Sequence, residues 1–126
     1  MLLSAAVIIL CVIAEHSCRY IFRELTEITY NPGAAFGIFG SVPGFALWLS
    51  LGAFIAISGV IALADIKRPA RIGLAFMAGG ALSNLLERIF IGYVIDWIPV
   101  PFMDLYFNLA DVEISIGALI AFISLL

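Results

Sequence analysis

The stretch ITYNPGAAFGIFGSVPGFALWLSLGAFIAISGVIALA, residues 28–64, decides the fold class, because its 37 residues include no Asp, Glu, Lys or Arg. About 20 apolar residues suffice to cross a bilayer, so the stretch holds one membrane span with residues to spare. Pro43 lies where a first helical turn tolerates proline, and Ser41 is a candidate cap just upstream. We therefore predict a span at about residues 43–64.

The composition of the whole chain predicts a membrane protein. Of its 126 residues, 64% are hydrophobic and 12% are charged, whereas soluble domains have roughly 25% charged residues. Further apolar stretches predict spans at about 1–22, 70–91 and 106–126. The first stretch lacks the basic start of a cleavable signal peptide, so we expect it to be retained. The predicted fold class is an all-α membrane protein with four transmembrane helices, in one domain covering residues 1–126.

A short basic loop predicts the orientation. The segment DIKRPAR at 65–71 carries three of the six Lys and Arg residues, and the positive-inside rule makes this loop cytoplasmic. Both termini then face the cytoplasm, while the segments around 23–42 and 92–105 face outward and form a small extracytoplasmic extended or β segment. The few basic residues form no stripe suited to phosphate contacts, which argues against nucleic-acid binding.

In this orientation, the polar residues of three spans lie at one depth, near the outer leaflet. A charge at the bilayer centre costs about 3 kcal/mol or more, so such groups normally face the bundle interior and are functional candidates. A structural alternative is that Arg88 neutralises a carboxylate and holds the bundle together. The three clusters contain Glu15, His16, Arg19, Asn84, Glu87, Arg88, Asn108, Asp111 and Glu113.

Elimination leaves a pair of carboxylates as the strongest chemical hypothesis. The only lysine, Lys67, lies in the cytoplasmic loop, and a Ser-His-Asp triad or a catalytic zinc would have to rest on the only histidine, His16. Asp96 lies just beyond span three and Asp111 about a turn and a half into span four, and the residues between them are long enough to fold back. Two adjacent carboxyl groups keep one proton, which supplies a general base and a general acid.

Four sequence blocks form a recognisable pattern: in chain order they are NPGAAFG at 31–37, GGALSNLLER at 79–88, GYVIDW at 92–97 and FNLAD at 107–111. They resemble the blocks NxGAAFG, GGAxxNLxDR, GxVxDF and FNxAD of the lipoprotein signal peptidases. These type II signal peptidases are four-span aspartic peptidases of bacterial membranes. The resemblance implies cleavage of the signal peptide from prolipoproteins just before the cysteine that bears a diacylglyceryl group.

The resemblance also implies site residues, partners and a location. Asp96 and Asp111 match the catalytic pair, which activates water without a metal, another cofactor or a covalent intermediate. The implied partners are a diacylglyceryl prolipoprotein and membrane lipid, and the implied location is the bacterial cytoplasmic (inner) membrane; we expect a monomer. The positions that match residues lining or bracing the site are Asn31, Gly33, Ala34, Asn84, Arg88, Asn108 and Ala110.

The segment NPGAAFGIFG at 31–40 supports two interpretations. Gly33 and Gly37 have the spacing that lets two membrane helices approach closely. The residue before Pro32, however, is pushed toward extended conformations. Because the segment precedes the second span, we interpret it as an extended wall of the substrate cleft, with Asn31 as its polar tip.

The chain also departs from the family pattern. EHSCR at 15–19 stands where the family has DQxxK, Glu87 replaces an Asp, and the outer segment at 24–30 is short. Two alternatives stay open. One, which these changes favour, is a non-catalytic or degenerate relative that serves transport or assembly. The other is a small membrane lipid kinase, which also fits a short acidic multi-span chain but would need a nucleotide and magnesium site at the cytoplasmic face.

Overall fold

The computed structural model describes residues 1–33, 42 and 44–126. In this part of the chain four helices and four short strands form, so the predicted all-α membrane fold with a small β segment is confirmed. The predictions for Ala34, Ser41 and Pro43 lie outside the described residues, as does most of the predicted cleft wall. The helices are α1 (Leu2–Phe22), α2 (Phe45–Leu63), α3 (Arg68–Ile91) and α4 (Leu109–Ile123), and the strands are β1 (Thr29–Asn31), β2 (Val94–Asp96), β3 (Ile98–Pro99) and β4 (Tyr106–Phe107).

Three helices, α1, α2 and α3, are long and apolar enough to cross a membrane. Helix α4 has 15 residues and begins later than the predicted start at 106, because residues 106 and 107 form β4. Asn108 then caps the helix: its side chain accepts the Asp111 N–H at 2.9 Å, and the Asp111 carboxylate accepts the Asn108 N–H at 3.4 Å. This capping box places Asp111 in the first turn of α4, nearer the helix start than the predicted turn and a half.

Helix α3 is the central helix and packs against α1, α2 and α4. Small residues on α3 allow its neighbours to approach the backbone closely. A Cβ atom at Gly73 would lie 2.6 Å from the carbonyl oxygen of Gly117 in α4, and one at Gly79 would lie 2.5 Å from the Cβ of Cys11 in α1. The glycines of α3 therefore set its distances to α1 and α4.

The strands close one end of the bundle. Strand β1 pairs with β2 in antiparallel register, with Tyr30 opposite Ile95, and β3 pairs with β4, with Ile98 opposite Phe107. Trp97, between β2 and β3, donates its N–H to the carbonyl of Phe107 at 3.0 Å. These pairings hold together the chain segments that leave α3 and enter α4.

Candidate active site

Asp96 and Asp111 lie on different segments and line the same cavity, whose volume is about 450 Å³. Asp96 is the last residue of β2 and is 4% exposed, while Asp111 lies in the first turn of α4. The structure therefore brings together the two carboxylates that the sequence analysis paired. The cavity is otherwise mostly apolar, with side chains of Val100, Leu105, Phe107, Val112, Ile114 and Ile116.

A chain of three asparagines holds the two carboxylates. Asn31 in β1 donates its side-chain N–H to Asp96 Oδ2 at 3.0 Å, and Asn108 donates to Asp96 Oδ1 at 2.9 Å and to Asn84 Oδ1 at 3.2 Å. Asn84 in α3 then donates to Asp111 Oδ1 at 3.1 Å. The two aspartates are thus joined through Asn108 and Asn84, and each carboxylate orientation depends on residues from other segments.

Burial changes the protonation of Asp96. The pKa of Asp96 is raised from 3.8 to about 6, chiefly because burial removes its carboxyl from water. The hydrogen bonds from Asn31 and Asn108 and the positive charge of Arg88 lower this pKa, and the negative charge of Asp111 raises it. A carboxyl with this pKa can bind and release a proton near neutral pH.

Arg88 stabilises the chain around Asn31. Its Nη2 donates to the carbonyl oxygen of Gly33 at 2.6 Å, and its Nη1 donates to Ser50 Oγ in α2 at 3.1 Å. The Gly33 N–H in turn donates to Asn31 Oδ1 at 3.0 Å, which fixes the amide that reaches Asp96. Arg88 also places a positive charge that acts on both aspartates.

The remaining predicted site residues also have defined positions. Ala110 is fully buried directly before Asp111, and its carbonyl group packs so closely on Gly80 that a Cβ at Gly80 would overlap it. Gly33 is buried two residues after the end of β1. Around the two aspartates, the structure brings together Asn31, Gly33, Asn84, Arg88, Asn108 and Ala110.

Two acidic residues that depart from the family pattern accept hydrogen bonds from residues next to the two aspartates in the chain. Glu15 in α1 is 1% exposed and accepts the Trp97 indole N–H at 3.0 Å and the Ala110 N–H at 3.1 Å. Glu87 in α3 accepts the Ile95 N–H at 2.8 Å. The sequence predicts that both acids face the bundle interior, and both are buried. It does not predict these hydrogen bonds, because nothing in the local pattern identifies donors that lie far away in the chain.

His16 and Arg19 of α1 form a cluster with Glu87. Arg19 makes an ion pair with Glu87, and Arg19 Nη2 lies 3.1 Å from His16 Nδ1. His16 Nδ1 is 3.7 Å from Glu87 Oε1. Across the described residues, no three His, Cys, Asp or Glu side chains form a group that could hold a metal ion.

Sequence comparison relates this chain to known proteins. The family model described as signal peptidase (SPase) II matches residues 4–126. The lipoprotein signal peptidase of Tolumonas auensis is 42% identical over 106 residues, which are 77% of this chain and 64% of that protein. The lipoprotein signal peptidase of Cellvibrio japonicus is 38% identical over 101 residues, which are 74% of this chain and 59% of that protein. The chain thus spans less than two thirds of the length of these two relatives.

Solved structures of two bacterial membrane enzymes share the fold. One, determined at 2.3 Å by the in meso method, aligns with a TM-score of 0.86 at 23% identity and covers 99% of this chain and 88% of its own. The other, determined at 1.9 Å, aligns with a TM-score of 0.84 at 23% identity and covers 100% of this chain and 94% of its own. The matched family model covers nearly the whole chain, and the protein therefore belongs to the signal peptidase II family.

Proposed function

We propose that this protein is an aspartic endopeptidase that removes the signal peptide from prolipoproteins by cleaving before the diacylglyceryl-modified cysteine. One observation carries the proposal: Asp96 and Asp111 line one cavity and are joined by the hydrogen bonds of Asn108 and Asn84. Membership of the signal peptidase II family supports the substrate class. It does not favour the transport, assembly or lipid-kinase alternatives.

The chemistry uses the two carboxyl groups as a base and an acid. An ionised aspartate takes a proton from water as the water oxygen attacks the scissile carbonyl carbon. The protonated aspartate gives its proton to the leaving amine when the carbon–nitrogen bond breaks. The pKa of about 6 for Asp96 suits a group that exchanges a proton near neutral pH. The pair titrates as a unit, so the proton belongs to the pair and not to one residue.

The surroundings of the pair suit a substrate that arrives from lipid. The cavity is lined mainly by apolar side chains, including Val112 and Ile116 of α4. In the proposed orientation, both termini lie in the cytoplasm of a bacterial cell and the site lies near the outer leaflet of the cytoplasmic membrane, where the end of a signal peptide would be presented. The proposed enzyme acts as a monomer and uses no cofactor.

The test is cleavage of a purified diacylglyceryl prolipoprotein by the Asp96→Asn and Asp111→Asn variants. Each change keeps the size of the side chain and removes its ability to accept a proton, so we expect cleavage to fall by about 10³-fold or more. Asp65→Asn, in the loop between α2 and α3, is the matched control and should cleave at the wild-type rate.

Two further measurements complete this test. The unfolding temperature in detergent should show that all three variants are folded, and an unlipidated precursor should be cleaved much more slowly than the lipidated one. Wild-type activity in either Asp96→Asn or Asp111→Asn would exclude the aspartic mechanism. A folded wild-type protein that cleaves neither precursor would instead identify a degenerate relative.

A further inference from the structure

We propose that Glu15 and Trp97 form a positioning pair that fixes the orientations of both Asp96 and Asp111; this inference rests on the proposed function. Glu15 is almost fully buried, and its two carboxylate oxygens accept hydrogen bonds from different segments. Oε1 accepts the indole N–H of Trp97, and Oε2 accepts the backbone N–H of Ala110. Trp97 directly follows Asp96, and Ala110 directly precedes Asp111, so one side chain of α1 is bound to the neighbours of both aspartates.

Three contacts hold Trp97, two through its side chain and one through its backbone. Its indole ring stacks on Phe22 of α1 with ring centroids 5.9 Å apart and an angle of 5° between the planes. Its backbone N–H donates to Phe107, and its indole N–H donates to Glu15. Neighbouring side chains of an extended backbone point to opposite faces. A fixed indole on one face therefore sets the direction of the Asp96 carboxylate on the other.

The Ala110 N–H is one of the first-turn donors of α4 that have no partner within the helix. Asn108 satisfies the N–H of Asp111, and Glu15 satisfies that of Ala110. The start of α4 is thus held both by its own cap and by a side chain from α1. A shift of Glu15 would move the turn that carries Asp111.

The hydrogen bond between Glu15 and Trp97 depends on the particular residues of this chain. The family block ends in Phe at the position of Trp97, and a phenylalanine ring has no N–H to donate. Neither Glu15 nor Trp97 is among the side chains that line the cavity of the two aspartates. Loss of the bond should therefore misplace the aspartates while leaving the substrate contacts in the cavity, which predicts a lower kcat with little change in KM.

The first experiment compares Trp97→Phe with Trp48→Phe. Both remove one indole N–H, but Trp48 lies on α2 and is 69% exposed, so it is the matched control. Phenylalanine retains an aromatic ring that can stack on Phe22. Displacement of a catalytic group by about 1 Å costs about 10²-fold in rate. We expect Trp97→Phe to lower kcat on the lipidated precursor by about 10-fold to 10²-fold with KM near the wild-type value, and Trp48→Phe to change neither.

The second experiment adds Glu15→Gln and the double variant Glu15→Gln/Trp97→Phe. Glutamine has the size of glutamate, but an NH2 group replaces one of the two oxygens that accept these hydrogen bonds, so in the same geometry one of the two donors loses its acceptor. Because part of the effect of each residue passes through the hydrogen bond that they share, the loss of kcat in the double variant should be smaller than the two single losses combined. An unfolding temperature for each variant separates misfolding from misplacement. If Glu15→Gln does not fold, the kcat and KM of Trp97→Phe decide the question.

Three results would overturn the inference. These are wild-type kcat in Trp97→Phe, a loss that lies in KM, and additive losses in the double variant. Each would leave the proposed function intact, because the wild-type protein would still cleave the precursor. An inactive wild-type protein would refute the proposed function instead.

Discussion

Helices α2 and α3 are both long enough to cross a membrane, yet the less hydrophobic of the two is the more buried. The most apolar 18 residues of α2 have a mean hydropathy of 2.2, and 11% of these residues are buried. The corresponding residues of α3 have a mean hydropathy of 1.3, and 44% of them are buried. In water the opposite order would be expected. Lipid is as apolar as a leucine side chain, so helices in a membrane associate through close packing and hydrogen bonds. Hydrophobicity therefore indicates the lipid-facing helix, and small and polar residues indicate the central one.

The residues that each helix buries show the same difference. In α2 the buried residues are Ala46 and Ile61. In α3 most of them are glycines, alanines and Ser83, together with Asn84, Leu85 and Glu87. The two helices are joined near the aspartates by the hydrogen bond from Arg88 to Ser50. Helix α3 thus makes both close packing contacts and polar contacts with its neighbours, whereas α2 packs mainly against α3.

The sharpest test of this contrast compares Gly80→Leu with Gly52→Leu. A Cβ at Gly80 would overlap the Ala110 carbonyl group and would lie 2.8 Å from Ile114 Cγ1, while a Cβ at Gly52 of α2 meets nothing within 4 Å. Overpacking costs about 1–3 kcal/mol for added methylene groups, and a whole Leu side chain against backbone exceeds that range. We expect Gly80→Leu to prevent recovery of folded protein in detergent, judged by size-exclusion chromatography and thermal unfolding.

Gly52→Leu should retain the wild-type unfolding temperature within a few degrees, because the new side chain points to the surface. The contrast between α2 and α3 would be wrong if the two variants were equally stable.

The next largest effect is the pH dependence of stability that Asp96 introduces. An acid with a higher pKa in the folded state than in the unfolded state binds its proton more tightly when folded. The contribution of Asp96 to the unfolding free energy is therefore largest below the unfolded pKa of 3.8 and is lost as the pH rises through the folded pKa of about 6. At about 1.4 kcal/mol per pKa unit, the decrease is at most about 3 kcal/mol.

Thermal unfolding between pH 4 and pH 8 measures this decrease. The Asp96→Asn variant should show a smaller fall in unfolding temperature with rising pH than the wild type, because asparagine does not ionise. Helix α2 has no ionisable side chain and adds no such dependence. Asp65→Asn should retain the wild-type slope. A slope in Asp96→Asn as steep as that of the wild type would show that burial of Asp96 has no such cost.

The smallest of the three effects is expected for Arg88→Lys, which breaks the polar link between α2 and α3. The two guanidinium nitrogens of Arg88 reach Ser50 and Gly33, and a single ammonium cannot reproduce that geometry. We expect about a 10-fold loss of cleavage, equivalent to about 1.4 kcal/mol, because one hydrogen bond near Asn31 is lost.

Arg68→Lys at the start of α3 is exposed and should have no effect on cleavage. Wild-type cleavage by Arg88→Lys would mean that the contact between α2 and α3 does not influence the aspartates.

The sequence predicted the helices well because membrane spans leave a strong compositional signal. It also predicted that polar residues of three spans would meet at one depth, since a helix rises by a constant amount per residue. The start of α4 was predicted too early. The apolar residues Tyr106 and Phe107 extend the hydrophobic stretch, but they pair with β3, and the capping box at Asn108 determines where the helix begins.

The roles of Glu15 and Glu87 were not predictable to the same degree. Glu15 and the Trp97 donor are 82 residues apart in the chain, and the donors of both acids lie on segments whose positions depend on strand pairing. No local pattern of residues records which backbone N–H a side chain will reach. The departure from the family pattern at Glu15 therefore indicated a difference in sequence without showing what that residue contacts.

What the sequence determined by itself was the membrane class, the four helical segments and the candidate residues Asp96 and Asp111. Composition and helical periodicity are properties of contiguous residues, so they can be read along the chain. Only the tertiary structure decided that Asn108 and Asn84 join the two carboxylates and that Glu15 binds the neighbours of both. Such contacts depend on distances of a few ångströms between distant segments, and those distances are set by the close approach of α1 and α4 to the glycines of α3.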